Sequence, residues 1–141
     1  MVEHREGLLY ADTSALVKLV VREAESDALE EELGLWRDVL TSTVTAIELT
    51  RTVARARTDP RAVVADEWTL FGVLAATAEI PLTDEIRVSA SNLAPVELRA
   101  LDAIHIASAL SLAEDLAGVL TYDKRMDRAA AGHGLMVLTP A

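Results

Sequence analysis

The chain has 141 residues, of which 51% are hydrophobic and 26% charged, a composition typical of a folded globular protein and not of a disordered acidic segment. It contains no cysteine, which excludes disulfides, thiolate metal sites and a cysteine nucleophile. Its 23 acidic and 13 basic side chains give a formal net charge of −10, which taken alone argues against a phosphate-rich ligand.

The length predicts a single domain over 1–141 that begins with a short polar segment, 1–7. This segment lacks the apolar core of a signal peptide. The longest uncharged stretches, 68–78 and 103–113, are both far shorter than the ~18–20 residues that cross a bilayer. We therefore expect a cytoplasmic protein with no membrane association.

The first half of the sequence predicts short strands that alternate with helices. The first strand, at 8–11, is followed by Asp12, Thr13 and Ser14, which are good N-cap residues for the next helix. The last helix of this half begins after Pro60, and its apolar stripe predicts burial in the core or at an interface with another chain. The stripe consists of Val64, Trp68, Phe71 and Ala75. The predicted elements are a strand at 8–11, helices at 15–21 and 25–35, a strand at 39–41, and helices at 43–57 and 61–78.

The second half continues the alternation. Its predicted elements are strands at 80–83, 119–121 and 135–138, and helices from 84 onward, at 101–117 and at 124–131. Gly118 is expected to follow the helix at 101–117 as its C′ residue. The whole pattern predicts an α/β fold, a doubly wound and mainly parallel central sheet of about five short strands flanked by helices. Ligands of such sheets bind beyond the carboxyl ends of the strands.

Four carboxylates occur where the surrounding sequence favours burial. Asp12 and Asp123 follow the first and fourth predicted strands, Asp102 begins a very apolar helix, and Glu48 lies in a weakly polar helix. An unpaired buried carboxylate is costly, and a divalent cation offsets that cost for a cluster of them. Because an all-oxygen ligand set suits hard cations, we predict a site for Mg²⁺ or Mn²⁺.

Each of these acids also has an ordinary structural interpretation. Asp12 and Asp102 are suitable N-caps, and Asp123 is suitable in a turn. Glu48 is placed to pair with Arg51 on a helix surface. The metal-site hypothesis is favoured because the acids come from separate strand ends and helices that meet at one edge of the predicted sheet.

Four segments together resemble the motifs of PIN-domain proteins, and among these the VapC-type toxins of type II toxin–antitoxin systems. They are YADTSALVKL at 10–19, AIELTR at 46–51, LDAIHIASA at 101–109 and LTYDKRM at 120–126. The resemblance extends from about residue 8 to residue 138. It implies a PIN-like fold and a Mg²⁺-dependent endoribonuclease that cleaves RNA, with tRNA or rRNA as candidate targets, to inhibit translation and growth.

The resemblance also implies roles for individual residues and for partners. The catalytic and metal-binding residues would be Asp12, Glu48, Asp102 and Asp123. The accessory residues would be the hydroxyls of Thr13, Ser14 and Thr121 and, one helical turn beyond the last acid, Asp127. The implied partners are a cognate VapB-type antitoxin, the RNA substrate and a second copy of the chain in a homodimer.

Basic residues follow two of the motifs. Arg51 and Arg55 after Glu48, and Lys124 and Arg125 after Asp123, are candidates for binding RNA phosphates. The alternative interpretation of these residues, and of Arg57, Arg61 and Arg128 near them, is a solvated helix face. His105 is expected to be a packed, hydrogen-bonded residue, with a role as catalytic acid or ligand as the alternative.

Two other functions stay open at the level of the sequence. One is a PIN-domain nuclease that processes RNA without an antitoxin. The other is a PIN module that binds or assembles without catalysis. Intact acids at the four motif positions favour a catalytic protein over the second alternative.

Overall fold

A parallel five-stranded sheet forms the centre of the molecule in the computed structural model, which describes residues 3–141. The strands lie in the order β3-β2-β1-β4-β5, and every neighbouring pair is parallel. They are β1 (Leu8–Ala11), β2 (Val39–Ser42), β3 (Ala78–Ile80), β4 (Leu116–Leu120) and β5 (Val137–Leu138). The predicted α/β fold with a parallel sheet of about five short strands is confirmed.

Helices cover both faces of this sheet. They are α1 (Thr13–Leu16), α2 (Ser26–Leu33), α3 (Val44–Ala56), α4 (Glu67–Ala76), α5 (Asp84–Ser91), α6 (Ala100–Leu110) and α7 (Lys124–Gly132). Short 3₁₀ turns follow α1 at Val17–Leu19 and precede β4 at Ala113–Asp115. Within residues 3–141, no helix has the length and apolar character that crossing a bilayer requires.

Strand β1 divides the core into two layers because its successive side chains point to opposite faces of the sheet. Leu9 and Ala11 pack on one face with a cluster that includes Leu16 and Leu49. Tyr10 packs on the other face with a cluster drawn from the helices on that side: Ile86, Ile106, Ala109 and Met126. Helices α1 and α3 are thereby fixed on one side of β1, and α5, α6 and α7 on the other.

The chain changes direction in the sheet at β1. The chain adds β2 and β3 on one side of β1 and then crosses to add β4 and β5 on the other. This is the switch point at which doubly wound sheets leave a crevice beyond the strand ends. Ala11 pairs with Leu120, and the Asp12 amide donates to the Leu120 carbonyl at 3.1 Å. Asp12 and Thr121 therefore leave the sheet side by side.

The prediction for the fourth helix is wrong at its start and in its buried face. Helix α4 begins at Glu67, capped by the Asp66 side chain, and not after Pro60. The segment before it instead lies beside Val21, which forms an antiparallel bridge with Val64. The helix is apolar on nearly all sides, so its periodicity did not define the inward face. Leu70, Val73 and Leu74 pack against the core.

Trp68 and Phe71 lie on the outer face of α4, where they are 80% and 67% exposed. The predicted burial of the stripe in the core is therefore wrong for these two side chains and for the exposed Ala75, whereas Val64 packs against the core. An interface with another chain stays a prediction for these two side chains.

The predicted helix at 101–117 is too long. Helix α6 ends at Leu110, and Ala113 adopts a left-handed backbone with φ of 51°, which stops any continuation. Gly118 lies within β4, so its assignment as a C′ residue is wrong. A Cβ at Gly118 would lie 3.4 Å from Cδ1 of Leu138, so glycine suits the close approach of β5. The pairing of β4 with β1 outweighs the local preference of this segment for helix.

Candidate active site

Asp12 is the central side chain of the site at the switch point. It is 4% exposed, and its Oδ1 accepts hydrogen bonds from the Ser14 hydroxyl at 2.6 Å and the Ala15 amide at 3.1 Å. Its Oδ2 accepts from the Thr121 hydroxyl at 2.5 Å. The Ala15 contact makes Asp12 the N-cap of α1, so the structural interpretation also holds. Burial raises the pKa of Asp12, although the two hydroxyls oppose the rise.

Ser14 and Thr121 connect Asp12 to the end of β4. The Ser14 hydroxyl accepts from the Tyr122 amide at 2.9 Å, and the Thr121 hydroxyl accepts from the Asp123 amide at 3.1 Å. The two hydroxyl oxygens lie 3.2 Å apart. These contacts hold the loops after β1 and β4 in one arrangement. Two of the three predicted accessory hydroxyls therefore contact Asp12, whereas the third, that of Thr13, donates to Glu48.

Asp102 and Asp123 form the open side of the site. Burial, and next repulsion from Asp123, raise the pKa of Asp102, while Arg125 and Arg99 oppose the rise. The Asp123 carboxylate accepts from the Arg125 amide at 2.8 Å and caps α7. Since Asp102 lies close enough to Asp123 to be repelled by it, a cation between them would relieve the repulsion.

Glu48 belongs to a different set of contacts. Its Oε1 accepts from the Thr13 hydroxyl at 2.9 Å and lies 2.8 Å from Nε2 of His105. Nδ1 of His105 lies 2.6 Å from the Tyr10 hydroxyl. Burial favours a higher pKa for Glu48, but the hydrogen bonds from His105 and Thr13 outweigh it and hold the pKa below its ordinary value.

Tyr10 and Glu48 lie at the two ends of this chain of contacts, and their protonation determines which atom donates to Glu48. Burial, and next the charge of Asp12, raise the pKa of Tyr10, so the phenol keeps its proton. The ionised Glu48 carboxylate has no proton to donate, so Nε2 of His105 is the donor between them. Nδ1 of His105 and the Tyr10 hydroxyl share the second hydrogen bond. His105 is 3% exposed and packed, as expected from the sequence. Its hydrogen bond holds the Glu48 carboxylate in position.

The carboxylates share the carboxyl edge of the sheet without forming a closed cluster. Within residues 3–141, no three His, Asp or Glu side chains lie close enough together to share a metal ion. Asp127 is half-buried in the first turn of α7, one turn beyond Asp123. The donor chemistry nevertheless suits a hard divalent cation, because the pKa values of Asp12 and Asp102 are both raised and their charges are poorly stabilised by the protein alone.

Two open clefts flank the N-terminus of α6. One, of about 350 Å³, is lined by Glu48, Arg51, Arg55 and Leu101 among others. The second, of about 480 Å³, contains Asp102 and Arg125. Three of the four predicted phosphate-binding residues thus line clefts that contain site acids. The fourth, Lys124, is exposed at the start of α7.

Sequence reasoning missed two features of this region. Tyr10 was not singled out, although a hydroxyl-bearing side chain in the otherwise apolar run Leu8–Ala11 is a usable signal. Arg99 was also missed, because it belongs to no motif and reaches the site only through the fold of the loop before α6.

We predict that Asp12 makes the metal-free protein less stable as the pH rises. Its pKa is raised in the folded state, so between the unfolded pKa near 3.8 and the folded pKa the folded chain retains a proton that the unfolded chain has lost. Stability falls as the pH increases through that window. In chelator, the melting temperature of Asp12→Asn minus that of the wild type should therefore increase from pH 4 to pH 7. A difference that does not change with pH would contradict the burial effect, since all other groups are common to both proteins.

Comparisons with known proteins give a consistent result. The family model of the PIN domain matches residues 9–132. Ribonuclease VapC46 of Mycobacterium tuberculosis strain H37Rv is 36% identical over 139 residues, which covers 94% of this chain and 98% of that protein. Ribonuclease VapC47 of strain CDC 1551 is 34% identical over 137 residues, covering 94% and 97%.

Solved structures share the fold. The crystal structure of VapBC2 from Rickettsia felis, bound to a DNA fragment from their promoter, matches with a TM-score of 0.69. The match covers 95% of this chain and 99% of that chain, at 13% identity.

Proposed function

Because this chain belongs to the PIN-domain family and resembles its VapC ribonucleases along nearly its whole length, we propose that it is a divalent-metal-dependent endoribonuclease acting as the toxin of a toxin–antitoxin pair. The arrangement around Asp12 is the main observation that supports the proposal. A buried carboxylate with a raised pKa lies at the switch point of the sheet, held by two hydroxyls and beside further acids.

The residues that we assign to the cation are Asp12, Glu48, Asp102 and Asp123. Bound there, Mg²⁺ or Mn²⁺ would neutralise charge on the phosphate and lower the pKa of an attacking water. Ser14 and Thr121 keep the Asp12 carboxylate in one orientation through their short hydrogen bonds. This fixed orientation is the chain's own contribution to the site, since a preorganised site needs no rearrangement during the reaction.

Asp102 is the better placed of the acids to hold the proton of the attacking water. It lines an open cleft, where a water molecule can reach it. Both oxygens of Asp12, by contrast, already accept hydrogen bonds from the protein.

RNA is the proposed substrate, with tRNA or rRNA as candidate targets and inhibition of translation and growth as the result. The clefts beside Asp102 and Glu48 contain arginines that suit backbone phosphates. A VapB-type antitoxin is the proposed neutralising partner, and a homodimer is the proposed assembly. The exposed Trp68 and Phe71 provide an apolar surface for one of these contacts.

Two measurements test this proposal. Purified protein with Mg²⁺ or Mn²⁺ should cut total RNA into defined fragments, and induced expression in a bacterial host should arrest growth. Co-expression of the antitoxin encoded beside the gene should relieve the arrest. If the protein cleaves RNA but does not arrest growth, the alternative of an RNA-processing nuclease is supported instead. If it cleaves RNA with neither Mg²⁺ nor Mn²⁺, the alternative of a non-catalytic binding module is supported.

We predict that His105 acts on cleavage by positioning Glu48. His105→Ala removes the donor at 2.8 Å from Glu48 and leaves the buried Tyr10 hydroxyl without its partner, which costs about 1–3 kcal/mol of stability. Loss of a group that orients a metal-binding carboxylate typically lowers activity about 10–100-fold. His105→Gln retains a donor and should recover much of the activity.

The measurements for His105 are kcat, KM and melting temperature for both variants. We expect kcat to fall in His105→Ala by a larger factor than KM rises, since His105 itself lines neither of the two clefts. A purely structural role is indicated instead if the alanine variant melts earlier but keeps the wild-type kcat at a temperature where it is folded.

A further inference from the structure

The larger of the two clefts contains two arginines, Arg99 and Arg128, that lie outside the four motifs. It lies between the loop before α6 and the exposed side of α7, and has a volume of about 480 Å³. Three guanidinium side chains, Arg99, Arg125 and Arg128, line it, and we call it the arginine cleft. Its remaining walls include the small residues Ala94, Ala129 and Gly132, which leave it open to an extended ligand.

The arginine cleft has more positive than negative groups, because its three guanidinium groups share the lining with two carboxylates, Glu97 and Asp102. Among residues 3–141, no carboxylate lies within 4.0 Å of the guanidinium of Arg99 or Arg128. Arg125 is paired only loosely, at 3.7 Å from Asp123. Other arginines of the described residues, among them Arg37 and Arg57, also have no ion pair. The convergence of three arginines on one groove of a chain with net charge −10 is therefore what indicates an anionic ligand.

The cleft suits a phosphate backbone better than a base. Arginine forks bind phosphate oxygens through paired N–H donors. No Trp, Tyr or Phe lines the cleft, and the aromatic ring in its lining is the small imidazole of His133, which is hydrogen-bonded to the Ala94 carbonyl. Binding there should therefore depend more on the charge of the RNA strand than on its base sequence.

The arginine cleft lies next to the cleft at Arg51 and Arg55, and the two would give an RNA strand a continuous path. Leu101 lines the cleft that contains Arg51 and Arg55, and its neighbour Asp102 lines the arginine cleft. The two clefts thus adjoin at the N-terminus of α6. A strand that passes from one to the other crosses Asp102.

We propose that the arginine cleft binds the backbone phosphates of an RNA strand on one side of the bond to be cut, with Arg99 and Arg128 as its anchoring residues. The cleft at Arg51 and Arg55 then holds the strand on the other side. This inference rests on the proposed function, since it takes the strand between the clefts to be the substrate. It extends that function to residues outside the four motifs.

The test measures RNA binding as a function of salt. A fluorescein-labelled single-stranded RNA is titrated with Asp12→Asn protein in Mg²⁺, so that the strand stays intact, over a range of KCl concentrations. Arg99→Ala, Arg128→Ala and the double variant are compared with Arg37→Ala. Arg37 is an exposed arginine just before β2, at the opposite, amino-terminal edge of the sheet, and its removal changes the net charge equally.

Each arginine of the cleft should contribute about one phosphate contact. We expect the slope of log affinity against log salt to decrease by about 0.7 for each single variant and by about 1.4 for the double variant. Affinity at low salt should fall roughly three- to tenfold for each residue, while Arg37→Ala stays near the parent. In the cleavage-competent protein, the same variants should raise KM more than they lower kcat.

The outcomes separate this inference from the proposed function. If the wild type cleaves RNA but the double variant has the affinity and slope of Arg37→Ala, the arginine cleft is not a phosphate site and the nuclease proposal stands. If no protein cleaves RNA but the double variant loses binding, the cleft is supported and the nuclease proposal falls. Circular dichroism and melting curves check that each variant is folded.

Discussion

Replacement of Asp12 by asparagine should lower RNA cleavage by at least about a hundredfold. Even groups that only support a metal-binding carboxylate are worth 10–100-fold, so the carboxylate itself should be worth more. Asparagine has the same shape and keeps one oxygen to accept from the Ser14 hydroxyl and the Ala15 amide. It loses the charge that would hold a cation next to Asp102.

The fold should survive this substitution. The charge of Asp12 is unfavourable in the metal-free protein, because burial raises its pKa. The Thr121 hydroxyl, which now donates to Oδ2, would turn to accept from the new amide. The melting temperature in chelator should therefore be equal to or above that of the wild type at pH 7, which separates loss of chemistry from loss of structure.

The matched control is Asp38→Asn, which removes an equal charge from an exposed position at the amino end of β2. It should cleave RNA at the wild-type rate. Asp127→Asn, one turn beyond Asp123, tests the accessory assignment and should have an effect between these two. If Asp12→Asn retains cleavage within about threefold of the wild type, Asp12 does not belong to the active site and the proposed mechanism is wrong.

Local signals in the sequence located the elements that position this site. The apolar run Leu8–Ala11 is bounded by Gly7 and by the cap Asp12, and β1 has these same bounds. Gly7 is required there, since its φ is 91° and a Cβ would lie 2.8 Å from Cβ of Ala117. Helix α7 begins directly after its cap Asp123, as the sequence predicts. Caps and apolar runs are short-range features, so a single sequence contains them in full.

Features that depend on packing between distant elements were not accessible in the same way. The hydrogen bonds of His105 to Glu48 and Tyr10 join α6, α3 and β1, which are 57 and 95 residues apart along the chain. The sequence indicated a buried, hydrogen-bonded histidine but not its partners. For Trp68, the apolar character of α4 on almost every side left the choice of buried face to the tertiary contacts of Leu70 and Leu74.

The net charge of −10 has a more specific meaning once these positions are known. The acids of the site lie at the carboxyl edge of the sheet, where two carboxylates have raised pKa values, and arginines lie in the adjoining clefts. Repulsion of phosphate is therefore concentrated at the position where a divalent cation is proposed. The overall charge does not exclude RNA, but it makes binding at the centre of the site dependent on that cation.

Divalent metal should accordingly stabilise the protein as well as permit cleavage. A ligand that binds only the folded state at 100 times its Kd adds about 2.7 kcal/mol, which for a chain of this length is a rise in melting temperature of roughly 5–10 °C. The physical source is relief of the unfavourable charge on Asp12 and Asp102. Mg²⁺ or Mn²⁺ should produce this rise, and chelation should reverse it and stop RNA cleavage together.

The control for this effect must separate a specific site from general screening, because any cation reduces the self-repulsion of an acidic chain. NaCl at matched ionic strength should give only a small part of the rise. The double variant Asp12→Asn/Asp102→Asn should lose the metal-specific part, whereas Asp38→Asn should retain it. If Mg²⁺ and Mn²⁺ stabilise the wild type no more than NaCl does, or if cleavage continues in excess chelator, these carboxylates do not form a metal site. The raised pKa values of Asp12 and Asp102 would then reflect burial and neighbouring charge alone, and the chemistry of cleavage would have to be sought elsewhere on the molecule.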